Sequence, residues 1–298
     1  MPTFLTRDRN LRWLAAVGYG LGLTALALLV VHDGGRAYDA HAYWLAGRNV
    51  LEGTPLYDPH VAIETLGAFK YPPLFAQAIA PFSLMPEIAF DWLWRIVCIL
   101  CLRALVGSWR NFGLALLFPP IWNELSIANV TFPVAYLALL ALRGRPMWLP
   151  VTIALKFGPA LLVPFILLRR GAADRRRLLI GFGAFAGLCA LSILATPDAW
   201  HDYLGTIAPQ AASGIGGAPA IALAPSGAVD FALRGSLAAV AVVIAIAFDE
   251  ERLAWAAAVI TVPVLFFARL APLVALFPWR QVRTATRPAA IPASVTAT

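Results

Sequence analysis

The chain has 298 residues, 60% of them hydrophobic and 13% charged, with mean hydropathy +0.75. An average soluble domain is about 45–50% apolar and about 25% charged, so a soluble globular enzyme is excluded. The net charge of +7 and pI near 9.8 do not mark a nucleic-acid binder, because the arginines sit in short clusters between apolar runs, a pattern of membrane topology.

Residues 13–31 carry no charge and just suffice to cross a bilayer core at about 1.5 Å per residue. The run is longer than a signal-peptide core and no A-x-A site follows it, which predicts a retained span. The basic clusters are Arg7, Arg9 and Arg12; Arg103 and Arg110; Arg143 and Arg145; residues 169–177; Arg252; and Arg280, Arg283 and Arg287. Placing them all in the cytoplasm satisfies the positive-inside rule, with Arg36 and Arg48 as exceptions.

From that choice, residues 13–31 run outward and residues 32–71 form a long first outer loop with interfacial helices. Residues 72–86 are too short to span and are re-entrant or packed within the bundle. Residues 87–106 return inward. Residues 112–122 and 127–142 make an out-and-back pair turning near Asn123 and Glu124, and residues 148–155 and 159–168 make another turning near Lys156. Residues 178–195 run outward, 196–227 form a second outer loop, and 228–248 return. Residues 253–267 and 270–279 form a last pair turning at Arg269. The single transmembrane domain is thus residues 1–279, and residues 280–298 read as a disordered cytoplasmic tail.

The fold class is all-α, a polytopic transmembrane helical bundle with short broken helices. Broken helices persist in membranes only where protein or a water-filled cavity satisfies their backbone groups, so the outer half is expected to hold a cavity. All four histidines (His32, His41, His60 and His201), both lysines (Lys70 and Lys156), and Asp33, Asp39, Glu52, Asp58, Glu64, Asp198 and Asp202 fall on that half. Solvation of the loops accounts for many of these, and the remainder place the chemistry outside. Cys98, Cys101 and Cys189 lie in apolar stretches, so neither a disulfide framework nor a redox C-x-x-C is expected. Asp91 with Arg95, and Asp230 with Arg234, have the i, i+4 spacing of structural ion pairs. His41 with Asp39 and His201 with Asp202 lack the spacing of a metal motif, so no metal or other cofactor is expected.

The most informative stretch runs Tyr38-Asp39-Ala-His41-Ala-Tyr43-Trp44 to Glu52-Gly53-Thr-Pro55-Leu-Tyr57-Asp58-Pro59, followed by Phe69-Lys70-Tyr71-Pro72-Pro73. Asp39 and Tyr43 share one face of a short helix, Gly53 and Pro55 stop it, and Pro72-Pro73 open the next. Further on come Asn129-Val130-Thr131 and Leu155-Lys156-Phe157-Gly158-Pro159. Over residues 37–170 this resembles glycosyltransferase family 87, with D-x-x-x-Y, a Y-D turn and F-x-Y-P-P. A weaker echo follows at Trp200-His201-Asp202-Tyr203. Where that pattern has Gly before the hairpin's polar pair, this chain has Ala128, and its Asn-Gln-Ser-type segment in the late outer loop has no counterpart.

The resemblance implies a GT-C-like fold. It implies transfer of a hexose, mannose in many members, from a polyprenyl-phosphate donor to a lipid or glycan acceptor with inversion, on the outer face of a bacterial inner membrane. Asp39 would be the base. Tyr43, Lys70, Tyr71, Asn129, Lys156 and Arg269 are the candidate substrate-binding residues, with Lys156 and Arg269 as cations for the departing phosphate. An ionisable group inside a membrane segment is a functional hypothesis because its insertion costs about 2.5–3.5 kcal/mol. Two alternatives stay open: a transporter or flippase of a lipid-linked or polar solute, and a non-catalytic membrane subunit derived from the enzyme fold.

Overall fold

The computed structural model describes residues 3–35, 37–57, 68–213, 227–260 and 267–276. His60, Glu64, the side chain of Arg269, much of the second outer loop and the tail lie outside the described residues. All regular structure among those described is helical. In chain order the α-helices are α1 (Thr3–His32), α2 (Tyr38–Glu52), α3 (Pro73–Ile79), α4 (Glu87–Val106), α5 (Trp109–Ala115), α6 (Pro120–Ser126), α7 (Thr131–Leu142), α8 (Leu149–Leu155), α9 (Leu162–Arg169), α10 (Ala172–Ala195), α11 (Pro197–Ser213), α12 (Gly227–Phe248) and α13 (Glu251–Ile260). Short 3-10 segments, among them Ala80–Leu84, Gly158–Leu161 and Phe267–Leu276, interrupt them.

Prolines set much of this punctuation. Pro73, Pro120 and Pro150 stand in the first turns of α3, α6 and α8, where the missing N–H has no partner to lose. Gly53 ends α2 in the left-handed conformation, at φ 68°, as the sequence predicts.

Two helical stretches are long and apolar enough to cross a membrane unaided, Arg9–His32 and Ala172–Ala195. The pair α6 and α7, bent by 113° at its break, makes a third if it counts as one span. Both long stretches leave their apolar side chains outward: Trp13 is 69% exposed, Val31 76% and Leu194 79%. On α12, Val240, Val243 and Phe248 are likewise exposed. A soluble protein does not present such apolar faces, and here they are the surface offered to lipid.

Inside, one apolar core joins Leu102, Leu116, Phe132, Leu139, Leu149, Phe165 and Trp255, and a second gathers Ala37, Ala40, Tyr43, Phe90, Ala128 and Val130. Helix association in lipid depends on close packing over small residues. At the α1–α5 contact a Cβ on Gly18 would lie 1.8 Å from the Gly113 carbonyl oxygen.

The structure departs from the sequence reading in three places. The turn expected at Asn123 and Glu124 is displaced: both residues lie within α6, which Pro119-Pro120 start late, and the chain reverses over residues 127–130. Arg269 lies within the 3-10 segment Phe267–Leu276 rather than at a turn. Pro272, which has no N–H to give, falls inside that segment. Finally, α4 carries Glu87, Asp91, Arg95 and Arg103, so it is not among the helices apolar enough to cross unaided. Its Asp91 and Arg95 are buried against each other at 3.4 Å. Asp230 and Arg234 on α12 form a similar buried pair at 2.6 Å. Residues 72–86, which the sequence left between two readings, pack as α3 and Ala80–Leu84 against α2.

Candidate active site

The break between α6 and α7 is the structural origin of the site. Ala128 occupies the left-handed region there, with φ 51°. This is a conformation glycine adopts freely and other residues at a cost of roughly 1–2 kcal/mol. Ala128 thus holds the turn with a residue type less suited to it than glycine.

The reversed backbone is tied from two sides. The Asp39 N–H donates to the Ile127 carbonyl at 3.1 Å, and the Val130 N–H donates to the Tyr43 hydroxyl at 3.2 Å. The Cys98 thiol on α4 donates to the Asn129 carbonyl at 3.3 Å, which gives the first cysteine of the C-x-x-C a structural contact. The start of α2 is held by α4, where Asp91 Oδ2 accepts from the Ala37 N–H at 3.2 Å.

Asn129 is buried and is the hub of the site. Its Nδ2 donates to Asp39 Oδ2. Its Oδ1 accepts from the Thr131 N–H at 3.0 Å, the Thr131 hydroxyl at 2.6 Å and the Lys156 ammonium at 2.9 Å. Lys156 also donates to the Thr131 hydroxyl oxygen. Lys156 is placed by the end of α8, where its own backbone is extended before the Gly158–Leu161 segment begins. Asp39 and Lys156 are both only partly buried, so each keeps a face open to a ligand.

Tyr43 and Tyr71 border this group with hydroxyls 3.2 Å apart. Burial, followed by the neighbouring Tyr71 and Asp39, holds the Tyr43 hydroxyl well above the usual phenol range. It therefore remains a neutral hydrogen-bonding group. Phe75 and Trp94 pack edge-on against the Tyr43 ring at centroid distances of 5.2 and 5.6 Å.

Lys70 stands exposed beside Tyr71. The Tyr57 hydroxyl donates to the Tyr71 carbonyl at 2.6 Å, and the Tyr57 ring lies 5.9 Å from Tyr203 on α11. Gln77 Nε2 donates to Thr196 Oγ1 at 3.0 Å. The two segments that the charge pattern assigns to one side of the membrane therefore meet.

On its other side, Lys156 opens with Thr131 onto a narrow cleft of about 50 Å³. The remaining lining is apolar and includes Val134, Trp255, Val259 and Pro272. A cation at the end of an apolar trough suits an amphiphile with an anionic head. Sequence reasoning did not select Thr131, although it stands two residues from Asn129 in the same motif, and it missed the cleft wall from α13.

Among the described residues no three histidine, cysteine, aspartate or glutamate side chains converge. His41 instead faces Glu87 at 2.8 Å.

A bundle of exposed apolar helices around a partly buried carboxylate and ammonium joined by a buried amide defines an integral-membrane protein with a polar cluster inside it. The chain belongs to glycosyltransferase family 87, whose profile matches residues 69–298. It is accordingly a membrane glycosyltransferase. The matched span contains Lys70, Tyr71, Asn129, Lys156 and Arg269, while Asp39 and Tyr43 precede it. No curated protein and no solved structure matches the chain.

Proposed function

We propose that the protein transfers a hexose, mannose in the first instance, from a polyprenyl-phosphate carrier to a lipid or glycan acceptor with inversion, at the outer face of a bacterial inner membrane. The observation that carries this reading is the Asn129 hub, which holds a carboxylate at one end and an ammonium at the other, with an apolar cleft beside the ammonium.

In this mechanism the Asp39 carboxylate takes the proton of the acceptor hydroxyl as that oxygen attacks the sugar's anomeric carbon. The bond from that carbon to the phosphate oxygen breaks on the opposite face. The polyprenyl phosphate leaves with the electron pair, and its added negative charge is met by Lys156. A phosphate is a good leaving group, so no general acid is required. Asn129 acts as a positioning residue, since its polar atoms are engaged with Asp39, Thr131 and Lys156. Tyr43 and Tyr71 border the acceptor side, with Lys70 beside them, and Arg269 is retained as a second cation for the phosphate.

The test is an assay of membranes from cells expressing the chain, supplied with radiolabelled polyprenyl-phosphate sugars and a lipid extract, with the product isolated and its anomeric configuration determined. Label in a new glycolipid or glycan of inverted configuration is the expected result. Solute uptake into proteoliposomes without sugar transfer would replace the reading with transport. Transfer that appears only when a further subunit is supplied would make the chain an accessory component.

A further inference from the structure

We propose that the basic corner where the turn after α7 meets the first turn of α10 is an interaction surface for the headgroups of anionic phospholipids. Arg143 and Arg145 stand on the turn and Arg176 on the helix, and all three are exposed. Among the described residues, none of the three has a hydrogen bond or ion pair from its side chain to another group of the protein.

The backbone under these arginines is fixed. Helix α7 ends in a closed cap around Gly144, which is left-handed at φ 87°: the Arg145 N–H donates to the Leu140 carbonyl at 3.0 Å and the Arg143 N–H to the Leu139 carbonyl at 3.1 Å. Arg177 ties this turn to α10 by donating to the Gly144 carbonyl at 3.1 Å. One turn further along, a Cβ on Gly181 would lie 2.5 Å from the Met147 carbonyl oxygen, so helix and turn are in close contact. The neighbouring carboxylates are engaged elsewhere, Asp174 with Arg177 at 3.1 Å, and Asp249 and Glu251 with Arg169 and Arg170. The positive charge of Arg143, Arg145 and Arg176 is therefore held in one place and is not neutralised from within the protein.

Depth in the membrane selects the partner. Arg176 and Arg177 directly precede the uncharged run of residues 178–195, so the corner stands where the hydrocarbon ends and lipid phosphates lie. Trp148 is exposed beside it, at the level where tryptophans anchor helices to the interface. Next to the arginines, Met147, Leu179 and Ile180 are exposed and continue the surface as an apolar face for acyl chains. An acidic water-soluble protein complements the charge but not these side chains, whereas a phospholipid complements both. Guanidinium forks match phosphate oxygens two at a time, and clustered arginines at a bilayer surface add their attractions for anionic lipid. The length of α7 separates this corner from Asn129 and Thr131 at the helix's other end, so the surface does not depend on the proposed reaction.

The experiment uses the whole delipidated protein in detergent and measures bound ligand by native mass spectrometry during titration with phosphatidylglycerol, phosphatidylcholine or a polyglutamate peptide. Phosphatidylglycerol is expected to bind in preference to both. The variant Arg143→Gln/Arg145→Gln is expected to bind it about 30-fold more weakly, at the interfacial contribution of each arginine. Arg143→Lys/Arg145→Lys keeps the charge and should retain most of the binding, which separates loss of the surface from loss of the fold. Arg48→Gln/Glu52→Gln, which removes an ion pair on α2, should change nothing. Equal binding of the two lipids, undiminished binding by the double glutamine variant, an equal loss from the α2 variant, or tighter binding of the polyglutamate peptide than of phosphatidylglycerol would each overturn the proposal.

Discussion

Asp39 and Lys156 bond to opposite ends of one side chain, the amide of Asn129. An amide has its donors at one end and its acceptor at the other, so the side chain is oriented by its two charged neighbours and in turn fixes where they stand. The arrangement keeps a carboxylate and an ammonium in register across the α6–α7 break.

If Asp39 is the base, Asp39→Asn keeps the bond to Asn129 through its remaining oxygen but cannot accept a proton. The expected outcome is a drop in kcat of about 10²–10⁴-fold with little change in donor KM. Asp33→Asn and Asp202→Asn should cost far less. Near wild-type turnover in the membrane-inserted Asp39→Asn enzyme would remove Asp39 from the mechanism.

Lys156→Met removes the charge while preserving the length of the side chain. Donor binding should weaken, and Lys156→Arg should restore it only in part, because a planar fork does not reproduce a compact ammonium against both Asn129 and Thr131. Titration with the lipid-linked donor reads this directly, and an unchanged donor KM in Lys156→Met would exclude the role.

The shared amide predicts a coupling. In a double-mutant cycle, Asp39→Asn and Lys156→Met should be non-additive in kcat/KM by about 0.5–3 kcal/mol. Asn129→Ala should lower activity and abolish most of that coupling. Additive effects in the wild-type background would show that the two charges act independently.

The left-handed residue before the hub gives a stability test. Ala128→Gly should be tolerated, within about 1 kcal/mol of the parent, because relief of backbone strain offsets the greater freedom of the unfolded chain. Ala128→Val, with a β-branched side chain at positive φ in a fully buried position, should prevent accumulation of active protein. Thermal melts in detergent would rank the three. A Val variant as stable as the parent would mean that the break is not built as described.

Helix α10 fixes a sidedness test. Its 24 residues are long and apolar enough to cross on their own, so Arg176 near its start and His201 beyond its end should lie on opposite sides. In a background without native cysteines, an impermeant thiol reagent added to intact cells should label His201→Cys and spare Arg176→Cys until the membrane is opened. Labelling of both in intact cells, or of Arg176→Cys alone, would invert or break the assigned topology.

The long spans were legible because an uninterrupted apolar run has few other uses, and the motif residues Asp39, Tyr43, Tyr71, Asn129 and Lys156 were legible as a set. The connection between them was not. Nothing in the spacing of Asp39 and Asn129 shows that one amide joins them, because the contact depends on a chain reversal whose signal is a single non-glycine residue, Ala128. Polar residues usually mark turns, so the sequence points to a reversal near Asn123 and Glu124. Glu124 is instead buried within α6, with Oε2 unpartnered. The wall that α13 supplies to the cleft was equally hidden, since Trp255 and Val259 look like ordinary apolar residues until the bundle is assembled.

The outward-facing helices also carry a consequence for the lipid around them. The uncharged runs of α1 and α10, residues 13–31 and 178–195, are about 27–29 Å long, against about 30 Å of hydrocarbon. They span it with nothing to spare, so a thicker bilayer must thin around them at a fraction of a kcal/mol per Å. Both long helices are on the perimeter and share this limit, so bilayer thickness acts on the whole bundle. Vesicles of longer-chain lipid increase the mismatch and those of slightly shorter-chain lipid relieve it, which makes acyl-chain length a lever on the enzyme's stability that no contact within the protein supplies.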